Sequence, residues 1–340
     1  MSKNIALCFI FMLIITFCSC TCFAETASVE SISGRSLPGH IAVAKGAVYV
    51  TVEKEGYFSN KYTIYRISSD AKATYVKTLR GFYSLPIACN DQLLICKYDS
   101  DFFTHYISAF TWHLIRSNGA VERFDNHIEK DPEKRIFYSF TASAQYKTVR
   151  DADEFRLYHR NDETDAWKET GVVSNDEASV FQSFVLAESA KPDECIIYDP
   201  ANNKLLYSPI FYTGPLYSAI LIDNAIVYAD DDSLSLYDLD SQTSKVIYTF
   251  NSGSFVRYNC QMILEKQALY FVEPSSMTIV AYSVNDDSLT YTKASSINCA
   301  EFTIVDDRVY SVCENGQRSI IVQVSNIVTG ETFSCECAPN

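Results

Sequence analysis

One short element recurs through most of the chain and constrains its fold more than any other feature. It is an apolar run centred on Tyr49 in "AVYVTV", Ile95 in "LLICKY", Tyr138 in "IFYSFT" and Phe184 in "SFVLAE". It continues at Tyr228 in "AIVYAD", Tyr270 in "ALYFVE" and Tyr310 in "RVYSVC". The intervals are 46, 43, 46, 44, 42 and 40 residues. Within one unit, "AILIDNAIVYADDDSLSLYDLDSQTSKVIYTF" from Ala219 to Phe250 holds four apolar runs separated by three polar turns. Four short strands repeated every 40 to 50 residues give a β-propeller, in which sheets that bury little alone stack into a ring.

Two further features keep the same order. Tight polar pairs precede five of the seven anchors: Lys45-Gly46, Asn90-Asp91, Asp223-Asn224, Glu265-Lys266 and Asp306-Asp307. Such pairs accept two-residue hairpin geometry, so they join the first and second strands of a unit and place each anchor on a second strand. An apolar-Tyr step follows on the next strand at Ile64-Tyr65, Leu157-Tyr158, Ile197-Tyr198, Leu236-Tyr237 and Ala281-Tyr282, with Ile320 to Val324 in that place in the last unit. The expected fold class is therefore all-β: four-stranded antiparallel blades, seven by this count. Six or eight follow if units three and four, whose first strands are poorly marked, are miscounted. Burial of both blade faces accounts for 14% aromatic residues without any ligand. Only "HIEKDPEKR", His127 to Arg135, reads as an inserted loop or a single helical turn.

The N-terminus, "MSKNIALCFIFMLIITFCSCTCFAET", has Lys3 ahead of an uncharged apolar core and the small Ala24 before Glu25, the pattern of a cleaved secretory signal. Its core is shorter than the roughly 20 residues of a membrane span. Acylation of Cys20 or Cys22 is the lipoprotein alternative, against which Phe17 stands where a lipobox wants an aliphatic residue. The expected organisation is a signal peptide over 1–24, an N-terminal segment over 25–39 and a propeller over 40–340. In the second of these, "SVESIS" (Ser28 to Ser33) is a candidate ring-closing strand beside Thr332 to Cys335. The chain is then exported, extracellular or held at the cell envelope, and no later segment is apolar enough to span a membrane.

The formal charge is −14. An acidic surface repels phosphates, so nucleic acid is not an expected partner. Eight cysteines follow the signal region: Cys89, Cys96, Cys195, Cys260, Cys299, Cys313, Cys335 and Cys337. An even number in an exported chain fits disulfides, and buried thiols fit equally. Cys299 and Cys313 flank the Asp306-Asp307 turn and are the favoured pair, although strict pairing about that turn sets Cys313 opposite Ala300. The Cys335-Glu336-Cys337 motif is too isolated for a zinc site.

The units holding "IVYADDDSLSLYDLDSQTSKVIYTF" and "YTIYRISSDAKATYVKTL" resemble blades of bacterial secreted propellers of the DUF5050 family, related to the YWTD modules of lipoprotein receptors. The likeness is the order apolar-Tyr, polar loop, Leu-Tyr-x-apolar and turn. It is detailed in units one, five and six, and the Tyr-Trp-Thr-Asp tetrad itself is absent. The resemblance implies an exported binding or scaffold protein and carries over no catalytic residue.

Catalytic motifs are missing. His40, His105, His113, His127 and His159 have no metal-binding spacing, there is no GxSxG elbow, and no glycine-rich phosphate loop occurs. The acidic groups at Asp230 to Asp232, Asp286-Asp287, Asp306-Asp307 and Asp162-Glu163 with Asp165 lack calcium-loop spacing and read as solvated turns. Neither a cofactor nor a metal is expected. What remains is an asymmetry in the loops between second and third strands. These are long in units one to three ("EKEGYFSN", "YDSDFFTH", "SAQYKTVRDADE") and short in units five to seven. The long ones carry Tyr57, Phe58, Phe102, Phe103 and Tyr146, which nominates a top-face surface for a protein or glycan. The alternative is an enzyme at the channel mouth, a glycoside hydrolase or lyase, which would need carboxylates that converge there.

Overall fold

The computed structural model describes residues 41–339 apart from 57–58, 91, 101–106, 125–134, 142, 152–153, 162–164, 177, 213–215, 217, 230–231, 251–261, 266–267, 274–277, 284–287, 293–300 and 316–318. The described residues contain 28 strands and no helix. Grouped in fours along the chain, they form seven blades.

Blade 1 is β1 (Ile41–Ala44), β2 (Ala47–Lys54), β3 (Asn60–Ile67) and β4 (Ala73–Tyr83). Blade 2 is β5 (Ile87–Cys89), β6 (Gln92–Ser100), β7 (Ile107–Ile115) and β8 (Val121–Arg123). Blade 3 is β9 (Arg135–Phe140), β10 (Gln145–Asp151), β11 (Glu154–Arg160) and β12 (Lys168–Ser174), and blade 4 is β13 (Ser179–Val180), β14 (Val185–Glu188), β15 (Glu194–Asp199) and β16 (Lys204–Pro209). Blade 5 is β17 (Ser218–Ile222), β18 (Ala225–Ala229), β19 (Ser233–Asp238) and β20 (Thr243–Thr249). Blade 6 is β21 (Met262–Glu265), β22 (Ala268–Glu273), β23 (Thr278–Ser283) and β24 (Ser288–Thr292). Blade 7 is β25 (Glu301–Val305), β26 (Arg308–Asn315), β27 (Ser319–Asn326) and β28 (Thr332–Cys337). Every pairing is antiparallel between chain neighbours, save that the end of β4 pairs β6 through Phe82↔Tyr98 and Tyr83↔Lys97. That link fuses blades 1 and 2 into one eight-stranded sheet. It forms because Pro86 cannot donate to a ladder and splits the inner strand of blade 2.

First strands of neighbouring blades touch one another, so they line the axis and fourth strands form the rim. Alternation then buries both faces of each blade. In β2, Val48, Val50 and Val52 face blade 7, while Ala47 and Tyr49 face Leu93, Ile95 and Ile115 of blade 2. Trp112 and Phe124 of blade 2 pack edge-on against Phe140 of blade 3. The next seams are Tyr146 and Leu157 on Val185 and Ile196, then Phe184 and Ile197 on Ile226 and Tyr228. Val227 and Leu234 meet Leu269 and Phe271, and Ile279 meets Phe302 and Ile304. The seventh seam closes the ring: Val48, Val50 and Ile67 pack on Val312, Ile320 and Val322. Across it, Ile41 N donates to Glu301 Oε2 at 3.3 Å, and Tyr65 Oη to the Ala338 carbonyl at 2.6 Å. The described residues form a seven-bladed β-propeller.

The hairpin pairs fall where the sequence sets them. Lys45 and Gly46 connect β1 to β2 with φ of 52° and 65°, and Asp306 and Asp307 connect β25 to β26 with φ of 50° and 59°. Both are left-handed pairs that suit the twist of the flanking strands. Asn90 and Asp223 also have positive φ. The fourth turn is one residue later than expected: Glu265 pairs Ala268, so Lys266-Gln267 connects β21 to β22. Each apolar-Tyr step lies on a third strand.

Two anchors differ. Tyr138 lies on β9, the first strand of blade 3, and Phe184 precedes β14 by one residue. The second strand of blade 3 is β10, "QYKTVRD". Its Lys147, Arg150 and Asp151 resemble a loop by charge, but β10 is flanked on both sides, pairing Phe137 with Thr148 and Thr148 with Leu157. The "SAQYKTVRDADE" loop is therefore a strand and a connection of two residues. The proposed signal peptide, the "SVESIS" segment and most of "HIEKDPEKR" lie outside the described residues. Among the described residues, no helix is long and apolar enough to cross a membrane.

Candidate binding site

Of the five nominated aromatics, Tyr57, Phe58, Phe102 and Phe103 lie outside the described residues. Tyr146 is not a loop-tip residue. It is the second residue of β10, 1% exposed, with its ring in the core between blades 3 and 4. Cys299 also lies outside the described residues. Cys313 is on β26, next to Val312, which pairs Glu301. A Cys299–Cys313 bridge remains our proposal. Cys89 and Cys195 are buried thiols that donate to the carbonyls of Ala144 and Pro209 at 3.7 Å.

The densest chemistry among the described residues is on blade 3, at the end where β9 turns into β10 and β11 gives way to β12. In the ladder, Lys147 pairs both Tyr138 and Tyr158, and Gln145 pairs both Phe140 and Arg160. Period 2 sets all six on one face. Trp167, from the β11–β12 connection, folds over them. The Lys147 ammonium is 5.1 Å from the Tyr158 ring centre and 5.3 Å from that of Trp167. The Arg160 guanidinium is 4.3 Å from the Trp167 ring, and Tyr138 meets Trp167 at 5.9 Å. Arg160 Nε donates to Gln145 Oε1 at 2.8 Å. Lys147 and Arg160 are only 7% and 5% exposed, while Tyr138, Tyr158 and Trp167 are half-exposed.

Ring quadrupoles attract these cations, and burial strengthens the attraction to about 2 kcal/mol. The consequence is rigidity. Three aromatic side chains with accessible surface are held from beneath, so little rotamer entropy is lost when a partner covers them.

The opposite face of the same strands carries a second network, at the seam with blade 4. Tyr198 Oη donates to Asn203 Oδ1 at 2.9 Å, so its 3.2 Å contact with His159 Nδ1 is made with the ring nitrogen donating. His159 Nε2 lies 3.2 Å from Asn161 Oδ1. Both ring nitrogens donate only in imidazolium; neutral imidazole fits once the Asn161 amide is turned so that its NH₂ donates. His159 is 5% exposed, and burial holds its pKa below the usual 6.5, with Lys168 adding to this and Asn161 and Asp165 opposing it. Burial raises both the Tyr198 and Tyr146 phenols, so both keep their protons. These groups sit on second and third strands, away from the axis, and fasten blade 3 to blade 4 behind the aromatic face. Among the described residues, no group of three or more His, Cys, Asp or Glu is placed to hold a metal.

Sequence reasoning missed the cluster. Tyr138 and Tyr158 are part of the repeat, but Lys147 falls in a stretch read as loop, and nothing in the spacing foretells that Trp167 covers it.

No protein-family model matches the chain, and no curated protein matches it. Among solved structures it is similar to the dihydro-heme d1 dehydrogenase NirN in complex with DHE, at 12% identity and a TM-score of 0.46 over 89% of this chain and 74% of that one. It is also similar to the uncharacterized protein lmo1340 from Listeria monocytogenes EGD-e, at 12% identity and a TM-score of 0.48 over 87% of this chain and 93% of that one. TolB from Acinetobacter baumannii aligns at 10% identity and a TM-score of 0.40 over 93% and 92% of the two chains. Likenesses this distant say nothing of what this chain binds.

Proposed function

We propose that the chain is an exported, non-enzymatic binding or scaffold propeller that contacts a protein or glycan through clustered aromatic side chains. The observation that carries the reading is the half-exposed trio Tyr138, Tyr158 and Trp167, fixed over the buried Lys147 and Arg160 on blade 3. Flat rings present a stacking surface to sugar C–H faces or apolar side chains, and hot-spot aromatics each contribute roughly 2 kcal/mol or more. Tyr57, Phe58, Phe102 and Phe103, which lie outside the described residues, are a second set of candidate contacts on the sequence alone. Export rests on the N-terminal signal pattern, and a place near the DUF5050 propellers rests on the blade pattern of units one, five and six.

The chain has two tryptophans, and Trp112 is buried at 6% exposure. A Trp112→Phe variant therefore makes Trp167 the sole indole reporter. Titration with a panel of soluble neutral and acidic oligosaccharides, and with candidate envelope proteins, should shift or quench its emission. Trp167→Ala should weaken the same ligand about 30-fold, the equivalent of 2 kcal/mol, with an unchanged thermal midpoint. Phe102→Ala with Phe103→Ala tests the loop aromatics separately. Unchanged affinity in both folded variants would overturn the aromatic-contact reading.

A further inference from the structure

Cys335 and Cys337 occupy β28, the rim strand of the last blade. Two residues apart on a strand, they share one face. That face is turned into the ring-closing seam. Cys337 is 1% exposed in the core formed by Val48 and Val50 of blade 1 with Ile320 and Val322 of blade 7, and the half-exposed Cys335 packs against the same cluster. Glu336 alternates to the other face, where its carboxylate accepts from Ser319 Oγ. One residue beyond Cys337, the Ala338 carbonyl accepts from Tyr65 of blade 1. The neighbouring thiol holds Cys335 below the usual thiol value and, together with burial, drives Cys337 up. Cys195 contrasts with this pair: burial, with a smaller push from the Glu194 charge, raises it to about 12, and its thiol donates to the Pro209 carbonyl.

We propose that Cys335 is a thiol-modification site for low-molecular-weight disulfides, with Cys337 as its resolving partner. The Cys335 thiolate attacks one sulfur of the small disulfide, forming a mixed disulfide and expelling one thiolate. Cys337 loses its proton to solvent and attacks Cys335 Sγ, expelling the second thiolate and closing an intrachain disulfide. The protein loses two electrons and two protons, and the small disulfide becomes two thiols. Half-exposure admits the first attack at Cys335, while burial shields Cys337 from direct modification.

The bridge has a structural cost that makes it reversible. Residues two apart on a strand have Cα atoms about 6.6–6.8 Å apart, at the outer end of the roughly 4.4–6.8 Å that a disulfide spans. Closing it therefore puckers β28 at Glu336, and strained bridges are the readily reduced ones. The pucker falls where β28 pairs β27 through Val322↔Cys335 and Ile320↔Cys337, beside the Tyr65–Ala338 clamp. Oxidation would loosen the seam there.

Trypsin releases residues 319–340 as one peptide, because no Lys or Arg follows Arg318, and Cys335 and Cys337 are its only cysteines. Folded protein is incubated with glutathione disulfide, quenched in acid, denatured, alkylated and mapped by mass. The wild-type peptide is expected two hydrogens lighter and not alkylated, with dithiothreitol restoring both thiols. Cys337→Ser, or Cys337→Ala should the serine variant not fold, should stop at one glutathionyl group on Cys335. Cys335→Ser should stay unmodified while folded and react once urea is added. A wild-type peptide with both thiols alkylated would overturn the proposal. So would folded Cys335→Ser acquiring glutathione on Cys337 as fast as the wild-type peptide is oxidised.

Discussion

His159 sits between blades with one ring nitrogen against Tyr198 and the other against Asn161, and burial makes its neutral form the favoured one. A folded-state pKa below 6.5 has a fixed sign. As pH falls through 6.5 the unfolded chain takes up the proton first, so stability declines until folded His159 is protonated too. His159→Gln removes that proton while keeping a hydrogen-bonding side chain. We expect the variant to be about 1 kcal/mol less stable than wild type at pH 7, the typical net worth of one hydrogen bond. The gap should narrow at pH 5. Urea unfolding of both proteins at the two pH values checks this, and a gap that stays constant would place the pH sensitivity elsewhere. Lys147 teaches the same lesson from the other face: its charge is tolerated at 7% exposure because two aromatic rings lie within cation–π reach.

At the level of elements, turns and strands obey different constraints. A two-residue hairpin needs particular backbone angles, so its residues are chemically marked. Asp306 and Asp307 both take left-handed φ without being glycine, a conformation that costs a residue with Cβ about 1–2 kcal/mol. Asp307→Gly relieves this and gives back part of it as unfolded-state entropy, so a net gain of about 0.5–1 kcal/mol is expected in the urea midpoint. A lower midpoint would show that the Asp307 carboxylate contributes more than the backbone strain costs. Strands are marked less sharply. Tyr49 and Tyr310 face the following blade while Ile95 and Tyr228 face the preceding one, although all four are second-strand anchors of one repeat. With both faces buried, alternation does not select a face, and a shift of one residue has no sequence signature. The same indifference let β9 stand in for β10 as the second strand of unit three.

At the scale of the molecule, ring closure is the central question. Each blade is built of consecutive strands, and the seam between blades 7 and 1 has the same kind of core as the others. If face packing closes the ring, the seam should be no weaker than an internal interface. Ile320→Ala at the seam and Ile226→Ala between blades 4 and 5 should each cost about 2–5 kcal/mol, both within a single unfolding transition followed by fluorescence and circular dichroism. An earlier, separate transition confined to Ile320→Ala would show that the ring opens at its seam. The segment Ser28 to Ser33, proposed as a clasp beside β28, would then be tested by its deletion, which should lower the midpoint of the wild-type ring.

The period of the repeat, its hairpin pairs and its apolar-Tyr steps were enough to determine the all-β propeller class, while the blade number stayed open between six, seven and eight. These features are local: a turn or a two-sided strand must be written in contiguous residues, whatever surrounds it. The blade 3 cluster could not be read in the same way. Tyr138, Lys147, Tyr158, Arg160 and Trp167 come from three strands and a connection, and each alone resembles an ordinary core aromatic or a solvated charge. Only the register Tyr138↔Lys147↔Tyr158, and the fold of the chain that lays Trp167 over it, turns them into a site. Tyr146 shows the converse, a tyrosine in a charged stretch that resembles a loop tip until β10 pairs on both sides and turns its ring into the core. Long-range register belongs to the packed ring, because cross-strand contacts join residues that the sequence keeps apart.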